Sequence, residues 1–356
     1  EIDVEGEGTM PGKDLLARLD AGAVICAEGY LFALEARGYL QAGAFVPEVV
    51  LEHPEVVEQV HREFARCGSD VIEAFTYYAH REKLRLIGRE ADLEPMNRQA
   101  LRIARGVAAE SGGLLAGNIC NTNIFDPADP TTAAQVRAMF EEQVGWAVDE
   151  GAEMLVGETF GFLGEAVIAH EVMAATGLPV VVTMAQHRSR TTRDGLDIVD
   201  ACRKLEQAGA PVVGLNCARG PWTMLPLLEE IRSAVGCRVA ALPVPYRTTD
   251  AEPAFQVLTD PDCPCPAPHG RPFPTALDPF TCTRYEIAGF TERCRDLDIR
   301  YLGLCCGAQP HHIRAMAEAL GRRPEASRFS PDMAKHYALG EDASLKATNK
   351  GFARTY

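Results

Sequence analysis

Three cysteines stand at the ends of two apolar runs: Cys217 in GLNC (214–217), and Cys305 with Cys306 in GLCCG (303–307). Side chains alternate along an extended strand, so two adjacent cysteines converge only if the chain bends sharply, which Gly303 and Gly307 permit. Three thiolates with a fourth position left open are the donor set of a catalytic zinc site, and soft sulfur selects Zn2+ over magnesium or calcium. The competing explanation is packing, since buried cysteine behaves as a small hydrophobe. A Cys305–Cys306 disulfide is disfavoured, because adjacent residues reach its geometry only with strain. Cys263 and Cys265 form a second pair without partners, read as mobile or structural thiols rather than a metal site.

These sulfurs must be brought together by the elements that carry them. Short apolar runs recur at 23–29, 70–76, 113–120, 152–159, 179–184, 211–217, 238–245 and 299–306. Amphipathic helical patterns separate them, such as 55–68, 98–112 and 133–151; the last has Val136, Met139, Phe140, Val144 and Ala147 on one stripe. Continuous rather than alternating apolar runs imply parallel strands buried on both faces. Eight strand–helix units predict a (β/α)8 TIM barrel, in which all strand C-termini share one face and the three sulfurs can meet. A doubly wound open sheet is the alternative, but no run is followed by the G-x-G-x-x-G turn of its dinucleotide-binding version.

Two segments break the rhythm. Residues 247–281 hold eight prolines and predict a long loop inserted after strand seven. From 322 the sequence turns polar. The predicted organisation is a barrel domain over 1–321 and a C-terminal tail over 322–356, lying on the surface or serving as an oligomerisation arm against a second copy; a homo-oligomer is expected.

The 356 residues are 47% hydrophobic, enough for one large α/β domain. The net charge of −15 and the absence of a dense Lys/Arg block argue against nucleic acid and favour small-molecule substrates. No run has the length of a membrane span, and no signal-peptide pattern is present. Twelve cysteines are too dilute for a disulfide scaffold, and Cys67, Cys202 and Cys294 fall in helical patterns as packing residues. A reduced, cytoplasmic protein is expected.

The pairing of GLNC with GLCCG on eight βα units resembles the homocysteine S-methyltransferases, and within them the betaine-using branch. The likeness runs from about residue 15 to 320 and includes FALEARGYLQAG, PEVVLEHPEVVEQVHREF, AFTYYAHREKL and YLGLCCGAQPHHIRAMAEAL. It implies a zinc-dependent barrel that moves a methyl group from an onium donor to the sulfur of homocysteine, giving methionine. Elementary chemistry agrees: a free thiol is mostly protonated at neutral pH, and zinc converts it to the nucleophilic thiolate. The leaving group is a neutral amine or sulfide, so no general acid is required.

The resemblance also implies roles for individual residues. Glu158 matches a glutamate that holds the homocysteine amino group, and Thr183 and Asn216 sit where the substrate or the ligand turn needs polar contacts. Tyr78 matches a tyrosine of the betaine site, where an aromatic face stabilises a methylated cation by about 2 kcal/mol when desolvated; packing on the barrel is its alternative role. His311 and His312 are read as capping or packing residues, and His80 and His187 as loop histidines.

The departures from the family pattern concern the substrates. An aspartate–glycine–glycine turn is usual after the first strand; here Ala27 takes the aspartate position and Glu28 supplies a carboxylate one residue later. Phe45 replaces a tryptophan and Thr159 a tyrosine, which predicts a roomier donor pocket. Glycine betaine remains the first candidate donor, with proline betaine, dimethylsulfoniopropionate and S-methylmethionine as alternatives. Two other classes stay open: a zinc hydrolase, for which three thiolates make the bound water a poor acid, and a non-catalytic zinc or redox protein.

Overall fold

The computed structural model describes residues 14–265 and 271–355, so part of the proline-rich segment and both chain ends lie outside the described residues. Eight parallel strands close into a barrel in chain order. They are β1 Val24–Ala27, β2 Val71–Glu73, β3 Leu114–Cys120, β4 Met154–Phe160, β5 Val180–Met184, β6 Val212–Asn216, β7 Arg238–Leu242 and β8 Tyr301–Leu304. Each falls within, or one residue beyond, its apolar run. The ring closes through β1 and β8, in register from Val24 opposite Tyr301 to Ala27 opposite Leu304. The chain is therefore a (β/α)8 TIM barrel.

Period-two alternation divides the core into two layers. Cys26, Leu114, Met154, Val181, Val212 and Tyr301 fill the interior, and Leu15 and Leu19 of the helix Leu15–Ala21 join them. Ile25, Leu115, Leu155, Val182 and Val213 point the other way and meet the surrounding helices. These helices follow the expected patterns: Pro54–Arg66, Leu93–Ser111 and Pro130–Asp149. The third opens on Pro130, with the Asp129 carboxylate accepting from the Thr131 N–H at 2.9 Å. Cys67, Cys202 and Cys294 are buried against helices, as packing requires.

The loop after β7 is anchored at both ends. Tyr246 bridges to Thr281, and the Arg247 N–H donates to the Phe280 carbonyl at 2.7 Å. Among the described residues it contains two short 3-10 turns, Phe255–Val257 and Asp278–Phe280. Cys263 and Cys265 lie side by side in it, with Cα atoms 5.2 Å apart. Phe255, Leu258 and Leu277 turn inward and form a small second core that includes Cys217 and Cys305. The loop is thus a roof over the barrel mouth.

Beyond the helix Pro310–Ala319 the described residues hold short 3-10 turns and the four-residue helix Ala347–Lys350, with Arg322 paired to Asp70 at 2.6 Å beneath the barrel. Among the described residues, no helix is long and apolar enough to cross a membrane.

Gly303 shows how tightly the barrel closes: a Cβ there would sit 1.9 Å from the carbonyl oxygen of Cys26. Gly303→Ala is expected to destabilise the protein by about 3 kcal/mol, since β1 and β8 cannot separate without losing ladder bonds. Urea unfolding measures this, and an unchanged midpoint would show that the seam yields freely.

Candidate metal and substrate site

Cys217 follows β6, and Cys305 and Cys306 follow β8, all at the C-terminal mouth. Cys306 Sγ lies 4.0 Å from Cys217 Sγ and 3.9 Å from Cys305 Sγ. All three sulfurs are within 4.8 Å of one another. Two local bends achieve this. After β8, the Cys305 N–H donates to the Pro243 carbonyl and a turn closes from the Ala308 N–H to the Cys305 carbonyl. Gly307 completes the bend at φ 92°, where any side chain would also strike the Tyr246 ring. After β6, Cys217 and Ala218 both adopt left-handed φ values, 56° and 55°, which non-glycine residues rarely hold.

The sulfur geometry fits a zinc ion. Zn–S bonds of about 2.3 Å in a tetrahedron place sulfurs about 3.8 Å apart. The protonation of the bare cluster leads to the same conclusion. Hydrogen bonds from Cys305 and Cys306 hold the Cys217 thiol well below its ordinary pKa, and the same contacts push the other two well above theirs. Three thiolates within 4.8 Å of one another would repel strongly, so ionising all three sulfurs needs a cation at their centre.

Beside the thiols lies a buried acidic box. Glu28, Glu73, Glu158 and Asn118 line a pocket of about 20 Å³ that Cys305 and Cys306 also border. Asn118 Nδ2 donates to Glu73 and, at 2.8 Å, to Glu158. Asn216 Nδ2 donates to the other oxygen of Glu158 at 2.7 Å, while its Oδ1 accepts from Thr183 Oγ1 at 2.9 Å and the Thr159 N–H at 2.8 Å. Glu28 Oε1 is buried without a partner. Burial pushes Glu158 up to about 7 against these hydrogen bonds. Glu28 and Glu73 are raised well above the usual range, by burial first and then by the charge of Glu158.

A larger cavity of about 280 Å³ opens from Cys217 and Cys306 toward solvent. Phe45, Tyr78 and Thr159 line it, so the structure gathers all three expected donor-side residues. Phe45 stacks on Phe32 with ring centroids 6.0 Å apart. One face of Tyr78 is covered by Lys83 Nζ, 3.8 Å from the ring centroid. Thr159 Oγ1 donates to Glu158 at 3.1 Å, tying the cavity wall to the acidic box. Phe255 and Phe273, in edge contact at 5.0 Å, also enter the cavity from the roof loop.

Other site residues were not anticipated from sequence. Glu73 and Asn118 belong to the acidic box, Cys26 approaches Glu73 at 3.6 Å, and Tyr77 borders both pockets. A carboxylate and an amide inside runs destined for a barrel interior were the available signal. The histidines play supporting parts. His312 Nδ1 accepts from the Gln309 N–H and its Nε2 pairs with the Cys282 carbonyl. His80 is buried, and burial holds its pKa down to about 4. His187 borders the cavity, with its pKa also lowered by burial.

Comparison with known proteins places these features in a lineage. Residues 29–320 match the family model described as homocysteine S-methyltransferase. The S-methylmethionine–homocysteine S-methyltransferase of Mus musculus is 35% identical over 341 residues, covering 95% of this chain and 89% of that protein. The betaine–homocysteine S-methyltransferase 1 of Xenopus tropicalis is 35% identical over 344 residues, covering 94% and 81% respectively. The metallated Escherichia coli homocysteine methyltransferase MmuM shares the fold, with a TM-score of 0.65 at 19% identity over 85% of this chain and 99% of that one.

The acidic box has a measurable cost. An unfolded glutamate titrates near pH 4.3, and Glu158 in the folded protein near 7. Below both values the residue is protonated in either state and costs nothing. Between them the folded state alone keeps the proton, so stability falls as pH rises, and the loss is complete above about pH 7. Glu158→Gln in chelator-treated protein is therefore expected to be more stabilising at about pH 8 than at pH 4, by about 3 kcal/mol. Equal effects at both pH values in urea unfolding would show that Glu158 titrates normally.

Proposed function

The chain belongs to the homocysteine S-methyltransferase family, and on that premise we propose that it methylates the thiol of homocysteine from an onium donor in a zinc-dependent reaction, with glycine betaine as the first candidate donor. The observation that carries this reading is the meeting of Cys217, Cys305 and Cys306 at the junction of an acidic box and an aromatic cavity. Each compartment suits one substrate. The box offers carboxylates to an ammonium, and the cavity offers ring faces to a methylated cation.

Cys217, Cys305 and Cys306 would hold the zinc ion. An ion held there would lower the pKa of the homocysteine thiol, so that it reacts as thiolate. Glu158, fixed by Asn118 and Asn216, takes the homocysteine ammonium, with the unpartnered Glu28 oxygen beside it. Tyr77, Tyr78 and Phe45 enclose the donor's cationic head. The homocysteine sulfur attacks the methyl carbon from the side opposite the leaving group; a C–S bond forms, and the electrons of the broken onium bond leave with the amine or sulfide. That product is neutral and needs no proton, in keeping with histidines held neutral by burial. Phe255 and the roof loop exclude water, which would solvate the thiolate.

The donor rests on the cavity, because relatives named for betaine and for S-methylmethionine are equally similar at 35%. Proline betaine and dimethylsulfoniopropionate stay as alternatives, suited to a cavity lined by Phe45 and Thr159.

Cys306→Ala is expected to lose zinc while remaining folded; full metal retention by elemental analysis would remove Cys306 from the site. Glu158→Gln should raise the homocysteine KM roughly tenfold or more with zinc content unchanged, through loss of a charge-assisted contact. A donor panel tests the whole proposal. Highest kcat/KM with glycine betaine supports the first candidate, whereas no methyl transfer from any onium donor overturns the reading.

A further inference from the structure

The aromatic cavity explains recognition of a cation, but its wall also carries a cation of its own. Arg193, on the segment between β5 and the helix Ile198–Gln207, lines the cavity together with Cys217 and Cys306. Among the described residues its guanidinium forms no ion pair and no hydrogen bond, in a protein whose surface arginines are mostly paired. Two contacts hold it in place instead. Its Cζ lies 4.4 Å from the centroid of the Phe162 ring. Its aliphatic stem runs over Gly161, where an added Cβ would come within 2.9 Å of Arg193 Cδ.

The backbone beneath it is also built rather than loose. The Arg193 N–H donates to the Gly161 carbonyl at 2.8 Å, and the Asp194 carboxylate accepts from the N–H groups of Leu163 and Gly164 at 3.0 Å each. The guanidinium is therefore presented to the cavity by a fixed stem, with its donors unused.

The other charges nearby do not cancel it. Glu165 also lines the cavity and feels the charge of Arg193, but its Oε1 accepts from the Thr122 N–H at 2.8 Å and Thr122 Oγ1 at 2.6 Å, so it leaves the guanidinium donors free. Lys83 is engaged on the ring of Tyr78 and does not border the cavity. His187 is held neutral by burial.

A pocket shaped for a purely cationic donor gains nothing from an unpaired arginine, which repels its ligand. We propose that Arg193 is the specificity residue that binds the anionic end of the methyl donor, so the donor class is an onium carboxylate rather than a simple onium cation. The donor then lies between two charges: its methylated head at the sulfurs and aromatic rings, its carboxylate on the guanidinium. Arginine suits this role because its planar donors match a carboxylate in two parallel hydrogen bonds. This assignment rests on the methyl-transfer reading of the same cavity.

Calorimetric titration of the zinc-loaded protein with glycine betaine and with betaine amide separates the charge from the head group, since the two share a trimethylammonium and differ in the carboxylate. The unaltered protein is expected to bind the acid at least roughly tenfold more tightly than the amide, and Arg193→Gln to abolish that preference. Arg193→Lys should restore part of it. Homocysteine binding and the urea midpoint should be the same in all three proteins, which excludes general damage. A preference for the acid that survives in Arg193→Gln, or no preference in the unaltered protein, overturns the assignment. Methyl transfer to homocysteine is followed alongside. Arginine-dependent binding without turnover would sink the methyltransferase reading and leave the anchor standing.

Discussion

The structure is organised around a surplus of buried negative charge. Glu28, Glu73 and Glu158 share the barrel mouth with the sulfurs of Cys217, Cys305 and Cys306, and all but Cys306 are almost fully buried. Burying one uncompensated charge costs several kcal/mol, so this many acidic groups cannot all ionise together. Asn118 and Asn216 soften the problem with amide donors, but they bring no charge. The bare site therefore keeps its protons: the carboxyl groups are raised, and so are the thiols of Cys305 and Cys306. On the proposed function, a metal ion at the sulfurs and the ammonium of homocysteine are the two cations that would relieve it. Stability and binding are opposed here by construction, as in many binding sites.

Backbone strain follows the same boundary. Seven non-glycine residues among those described hold a left-handed φ, and six of them line the aromatic cavity: Phe45, Tyr78, Asn123, Thr159, Cys217 and Ala218. Such conformations cost about 1–3 kcal/mol each and persist only where surrounding structure enforces them. The enforcement comes from the barrel. Strand ends are fixed by their neighbours, as the Cys217 N–H is by the Leu242 carbonyl, so the first loop residues must turn abruptly to face the axis. The strain aims the Cys217 sulfur, the Thr159 hydroxyl and the Tyr78 ring at one volume.

This division also explains what could be read from the sequence. The eight strands were legible because both faces of each are buried, and the continuous runs at 179–184 and 211–217 leave no other placement. The three-cysteine cluster was legible because a cysteine pair flanked by glycine has few competing explanations, and the structure brings its sulfurs within 4.8 Å of one another. The acidic box was only half legible. Glu158 and Glu28 stood out by family likeness, whereas Glu73 looked like one polar interruption in an apolar run. Its partners Asn118 and Cys26 come from the flanking strands β3 and β1, and only strand pairing makes them neighbours. Arg193 gave no signal at all, since an arginine in a polar loop is ordinary until the loop is seen to fold over a cavity.

The aromatic cavity shows the same limit in a sharper form. Residue-by-residue comparison counts a tryptophan shortened to Phe45 and a tyrosine shortened to Thr159, and concludes that the donor has gained space. Phe255 and Phe273 enter the same cavity from a loop far away in sequence. Phe255 packs on Phe32, which in turn stacks on Phe45, so the walls are joined by a chain of ring contacts. Cavity volume is a property of all the walls together, and aromatic side chains on an inserted loop adjust it without touching the barrel. Cation recognition tolerates such exchange because any ring face serves. Recognition of a carboxylate does not, since it needs directed donors at a fixed place. In this cavity the fixed element is Arg193, and it constrains the donor more closely than the size of the aromatic wall.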